Sequence, residues 1–109
     1  MEQFEIGEMT RGWFVGDFSP TMHRTDGCEV AVQSYPAGSL EDRHHHKLAE
    51  EITVVVVGKA RINSTILNVG QGVKIACHES AEFEALEDTT TVVFKTRSIA
   101  GDKYLDPES

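Results

Sequence analysis

The chain has 109 residues, with 18 acidic against 10 basic side chains and a net charge of −8. That length suits one domain with one core, and that charge repels a phosphate backbone, so nucleic acid is not an expected partner. No apolar run approaches the roughly 18 residues of a membrane span, and the opening MEQFEIGEMTRG has neither a basic n-region nor an apolar h-region, so the reading is a cytoplasmic protein without membrane contact.

In chain order, MEQFEIGEMT has room for one helical turn, and GWFVGDFSP follows with an aromatic cluster, Trp13, Phe14 and Phe18. Residues 1–27 therefore read as a packing segment or as a dimer arm exchanged with a second copy. Short β-branched runs then alternate with turn signals. They are CEVAVQSY (28–35), the segment from Asp42 to His46, EITVVVV (51–57), KARINST (59–65), GVKIA (72–76), AEFEAL (81–86) and TTVVFKT (90–96). The HKLAEE turn has room for a second helical turn. The pattern predicts an all-β fold, a single domain with its core over about 28–97. The tail 101–109 is expected to be loose or to lie over a neighbouring surface. EITVVVV is apolar on both faces, so its outer side is expected to be covered by the N-terminal segment or by a partner, which favours a homodimer. Cys28 and Cys77 stand far apart, outside any CxxC pair, and read as free thiols.

RHHHKLAEE, residues 43–51, carries the chemistry. Side chains alternate along a strand, so His44 and His46 share one face and His45 points to the other and is expected to be exposed. If the next strand starts at Glu51, its carboxylate, with Thr53, Val55 and Val57 on the same face, reaches the two imidazoles. Two histidines and one carboxylate suit Fe(II), Mn(II), Ni(II) or Zn(II) and leave positions open for a ligand. Glu50, opposite in pleat, reads as a surface charge, and His23 as a surface or interface residue.

Gly38, His44, His46, Glu51 and Gly58 match the first motif of the cupins, Gly, five residues, His-x-His, three or four residues, Glu, six residues, Gly. The chain is similar to that superfamily and, in EITVVVVGKARIN, FEALEDT and DKYL, resembles small bacterial and phage-associated single-domain cupins without an assigned role. The resemblance implies a double-stranded β-helix, or jelly-roll barrel, with a divalent metal in its mouth. The second cupin motif is followed only as far as Gly70 and the register of the strands: its Pro-x-Gly is replaced by Ala76, Cys77 and His78, and its ligand position holds Ala81.

Three readings of the cavity follow. His44, His46 and Glu51 hold a metal with water or ligand in the missing place; His78 swings in as a third nitrogen; or no metal binds and the two histidines form a proton-transfer pair tuned by Glu51. Histidines retained as hydrogen-bonded core groups are the bland alternative. Tyr35, Arg61, Asn63 and Phe83 are the expected pocket residues, with Thr53 and Lys74 beside them, and a small oxygen-rich ligand such as a sugar or an organic acid fits that mixture. Two function classes remain open. One is an enzyme of isomerase, epimerase or oxygenase type; the other is a non-catalytic small-molecule-binding barrel with a degenerate, metal-free site.

Overall fold

The computed structural model describes residues 1–107. Two antiparallel five-stranded sheets face each other. One has the order β1(Trp13–Val15), β2(Glu29–Tyr35), β9(Thr89–Lys95), β4(Glu51–Val57), β7(Gly72–Ile75); the other runs β10(Tyr104–Leu105), β3(Leu40–His45), β8(Ala81–Ala85), β5(Ala60–Ile62), β6(Thr65–Leu67). The all-β expectation holds, with β-branched and aromatic runs forming the strands. Two 3-10 turns, Ile6–Glu8 and Thr10–Gly12, precede β1.

The expected strand 59–65 is instead a hairpin. Asn63 adopts φ 53, the left-handed region that Asn tolerates, and turns β5 into β6. HKLAEE forms no helical turn. Gly58 ends β4 with φ 85, and a Cβ there would collide with the Asp88 carbonyl, so the last glycine of the first motif is required by a close backbone approach.

One end of the barrel is packed solid by Val55, Ala60, Ile62, Leu67, Phe83 and Ala85. Full burial of each larger apolar side chain contributes about 1.5–3 kcal/mol, which fixes the sheets relative to each other. The opposite end is polar and holds His44, His46 and Glu51.

Two bulges reset the inside-outside parity. Pairing of β4 with β9 shifts between Val55 and Val57, so Val57 is 55% exposed instead of facing inward with Val55. Pairing of β3 with β8 shifts between Glu41 and His44, so these residues, three apart, both face the interior while Leu40 is 71% exposed. Trp13 and Phe14 pack within their own chain: Trp13 pairs with Ala31, its ring lies 5.2 Å from Lys95 Nζ, and Phe14 meets Phe4 at 5.7 Å. The N-terminal segment thus lies along β2 and the barrel mouth, and it leaves Ile52 and Val56 on the outer side of β4 exposed.

Candidate functional site

His44 and His46 are 8% and 4% exposed, and their rings meet edge to face at 5.3 Å. Each has its Nδ1 on a backbone carbonyl, His44 on Asp42 at 2.9 Å and His46 on Asp102 at 2.6 Å. A carbonyl only accepts, so both Nδ1 atoms carry the proton in the neutral rings and both Nε2 atoms present a lone pair. His46 Nε2 is buried with no hydrogen-bond partner. Burial, then the nearby Lys95 charge, holds the His46 imidazolium below its ordinary range, against the opposing hydrogen bond to Asp102, so the ring is neutral near pH 7. Burial also pushes the Glu51 carboxyl up, and Lys95 and His44 only partly offset it.

An inner chamber of about 30 Å³ lies between these groups and the packed core, lined by Gln33, Tyr35, Glu41, His44, Glu51 and Phe83 among others. It has room for one or two waters. The same Gln33, Tyr35, Glu41, His44 and Glu51 also line a wider groove of about 880 Å³ that the N-terminal segment walls on its outer side and that His46 joins. The Tyr35 hydroxyl lies 2.7 Å from Gln33 Oε1 and 2.9 Å from Glu41 Oε1, two acceptors that share its single proton. Burial and the Glu41 charge raise the phenol far above its ordinary value, so Tyr35 stays protonated. Its ring packs on Phe83 at 4.7 Å.

The C-terminal segment positions His46. Besides the Asp102 carbonyl on His46 Nδ1, the Asp102 carboxylate accepts the backbone N–H groups of Lys47, Leu48 and Ala49 at 3.0–3.2 Å. Burial pushes this carboxyl up, but the three N–H groups outweigh it and hold it below the usual range. Strand β10 pairs with β3, and Asp106 accepts His45 Nδ1 at 2.7 Å while Tyr104 stacks on the His45 ring. His45 is therefore half-covered, not exposed, and residues 104–106 lie against β3. Residues 108 and 109 of the tail lie outside the described residues.

Other expected pocket residues fall elsewhere. Arg61 is on the outer face, paired with Glu84 at 2.9 Å, because the inward positions of β5 are Ala60 and Ile62. Asn63 is committed to its turn, bonded to the Ser80 carbonyl and the Glu82 N–H. Lys74 is exposed and pairs with Glu50 at 3.5 Å. His78 is exposed in the β7–β8 turn with φ 67, the conformation that explains a glycine at this place in the resembled motif, and only its N–H reaches the site, donating to the His46 carbonyl at 2.6 Å. Ala81 stands directly opposite His44 in the β3–β8 register. Among the described residues, no three His, Cys, Asp or Glu side chains are already gathered to hold a metal ion. The residues missed in the sequence are Glu41, Gln33 and Asp102. Glu41 is hidden by the bulge, since alternation from His44 assigns Asp42 and Leu40 to the interior.

No family model and no curated protein matches the sequence. Solved structures do. The DMSP lyase DddQ from Ruegeria pomeroyi is 18% identical, covering 98% of this chain and 58% of its own, with a TM-score of 0.72. An uncharacterized conserved protein with a double-stranded β-helix domain from Klebsiella pneumoniae is 20% identical, covering 77% and 74%, with a TM-score of 0.69. Bacterial pirin YhhW from Escherichia coli, in complex with nickel(II), is 13% identical, covering 81% and 39%, with a TM-score of 0.67. Such likenesses establish the fold: the chain is a double-stranded β-helix of two antiparallel sheets, with the His-x-His and Glu of the first motif on and beside β3 and β4.

Proposed function

We propose that the barrel mouth binds a divalent metal ion, one of Fe, Mn, Ni or Zn, through the Nε2 atoms of His44 and His46 and the Glu51 carboxylate, with a small polar ligand beside it in the groove. The observation that carries this reading is the buried, unpartnered Nε2 of His46. An unmet buried polar atom costs about 1–3 kcal/mol, and a cation on that lone pair removes the cost. The donor chemistry agrees: imidazoles oriented by Nδ1–H bonds to carbonyls leave Nε2 as the atom that metals take. Since three donors are not already gathered, the Glu51 side chain turns toward the imidazoles on binding. The nickel complex of pirin, on the same fold, supports the reading.

A bound ion there would supply a Lewis acid that polarises a ligand carbonyl or hydroxyl. The chain's own groups do the rest. Tyr35, kept protonated, donates to a ligand oxygen in exchange for Gln33 or Glu41; Phe83 offers an apolar wall; Glu41 accepts a ligand hydroxyl. This set suits isomerase, epimerase or oxygenase-type chemistry on an oxygen-rich molecule, sugar or organic acid. Ala81 opposite His44 favours the second reading, a metal-free binding barrel. Exposed Ile52 and its register partner Phe94, on the outer side of the first sheet, support pairing with a second copy there; Ile52→Lys is expected to give a monomer by sedimentation.

Protein purified without an affinity tag, equilibrated with each ion and freed of excess, is expected to retain near-stoichiometric metal, and His46→Ala none. No retained metal with any ion in the parent sinks the metal reading and leaves the binding barrel.

A further inference from the structure

The cavity that holds the histidines is not uniform in charge. Its inner chamber is lined by Glu41 and Glu51 and by no cation. The outer groove adds three of the ten basic side chains of a protein with net charge −8, Arg11, Lys95 and Lys103, and two carboxylates, Glu29 and Asp102, the latter already bonded to the N–H groups of Lys47, Leu48 and Ala49. Lys95 is neutralised in place: its Nζ lies 3.4 Å from Glu29 Oε1, and Ser98 Oγ donates to the other Glu29 oxygen at 2.8 Å. Arg11 and Lys103 have no carboxylate within ion-pair distance among the described residues, and both are exposed to the groove.

Arg11 is held there at a cost. Its backbone has φ 50 and ψ 32, the left-handed region that costs an ordinary residue about 1–2 kcal/mol and a glycine almost nothing. The Gln33 side-chain amide donates to its carbonyl at 3.0 Å, and the next residue, Gly12, lies so close to β2 that a Cβ would strike the Val32 carbonyl. A turn that needed only this backbone would be served better by Gly or Asn. The side chain is what arginine adds: an exposed guanidinium at the groove, carried on a backbone whose carbonyl is bonded to Gln33 and thence to the Tyr35 and Glu41 pair. A planar guanidinium matches the oxygens of a carboxylate or phosphate in a two-point contact.

We infer that the ligand of this groove is a small organic anion whose charged group, carboxylate or phosphate, is held at the rim by Arg11 with Lys103, while its uncharged oxygenated end points inward to the histidines and Glu51. In the metal-free protein the opposed charges of rim and chamber fix that orientation, since there the anionic end is repelled by Glu41 and Glu51. A neutral sugar would leave Arg11 unused. This inference rests on the groove being a ligand site, as the preceding reading has it, and narrows the ligand to an anion.

The test is a titration of the 15N-labelled protein with pyruvate, inorganic phosphate and uncharged dihydroxyacetone, followed at the amides of Arg11, Gly12 and Lys103. Saturable shifts with at least one anion and none with dihydroxyacetone are expected, and the stronger anion identifies the head group. Arg11→Gln is expected to weaken that binding about ten- to a hundredfold, the loss of a charge-assisted contact, and Lys103→Gln less. No saturable shift with either anion, an equal response to dihydroxyacetone, or unchanged affinity in both variants would overturn the inference. Loss of the rim response with metal uptake intact removes this inference alone; rim shifts in a protein that takes up no metal remove the metal reading alone.

Discussion

The two sides of the barrel mouth differ in what they offer a ligand. On the β3–β4 side, His44 and His46 are buried and oriented through Nδ1, with Glu51 in the same cavity. On the β7–β8 side the residue facing His44 is Ala81, and His78, the nearest histidine, is turned to solvent. On the proposed reading, the β3–β4 side supplies the metal donors together with the carbonyl contacts that orient them, while the β7–β8 side supplies none. The difference teaches that the small Ala81 side chain offers no donor opposite His44, so a further donor of the proposed metal site would have to come from the ligand or from water.

Substitutions break or sharpen that contrast in graded steps. His46→Ala removes one of two preassembled donors and is expected to weaken metal binding more than about a hundredfold, read by calorimetry, and to abolish any metal-dependent rise in melting temperature. Ala81→His, filling the position across from His44, is expected to tighten the same binding about tenfold or more, because it adds an imidazole to an otherwise open place.

Asp102→Ala comes next. It strands three N–H groups in the turn that carries His46, with an expected loss of about 2–3 kcal/mol in denaturant unfolding, and a loss of metal affinity of about tenfold through misorientation of the ring. The sign with pH follows from its lowered carboxyl: stabilisation by Asp102 is full above the ordinary value of 3.8 and drains as pH falls below it, so parent and Asp102→Ala converge in stability in acid. Glu51→Gln is smaller and opposite in sign. Burial penalises the ionised carboxylate, so at neutral pH the metal-free variant is expected to melt a few degrees higher than the parent while losing metal affinity. His78→Ala is expected to change neither property measurably, since only its backbone touches the site.

The fold was legible because β-branched runs and turn residues agree locally, and the motif in β3 and β4 was legible because Gly58 and the paired histidines answer to strict geometry. Glu41 was not. A bulge of one residue reverses parity between Glu41 and His44, and nothing in LEDRHH marks where an extra residue enters the ladder. Arg61, assigned inward by its chemistry, is outward because its strand neighbours Ala60 and Ile62 own the core face. Asp102 was hidden for another reason: its role is a contact across more than fifty positions, from the C-terminal segment to the Lys47–Ala49 turn, which no local pattern encodes.

The account turns on which histidine nitrogens meet a cation, so the most direct measurement is 15N NMR of the histidine side chains during titration of the metal-free protein with Zn(II). The Nε2 resonances of His44 and His46 are expected to shift together to the metal-bound range while their Nδ1 stay protonated and His45 and His78 do not respond. A response confined to His45 or His78, or none at all, would contradict it.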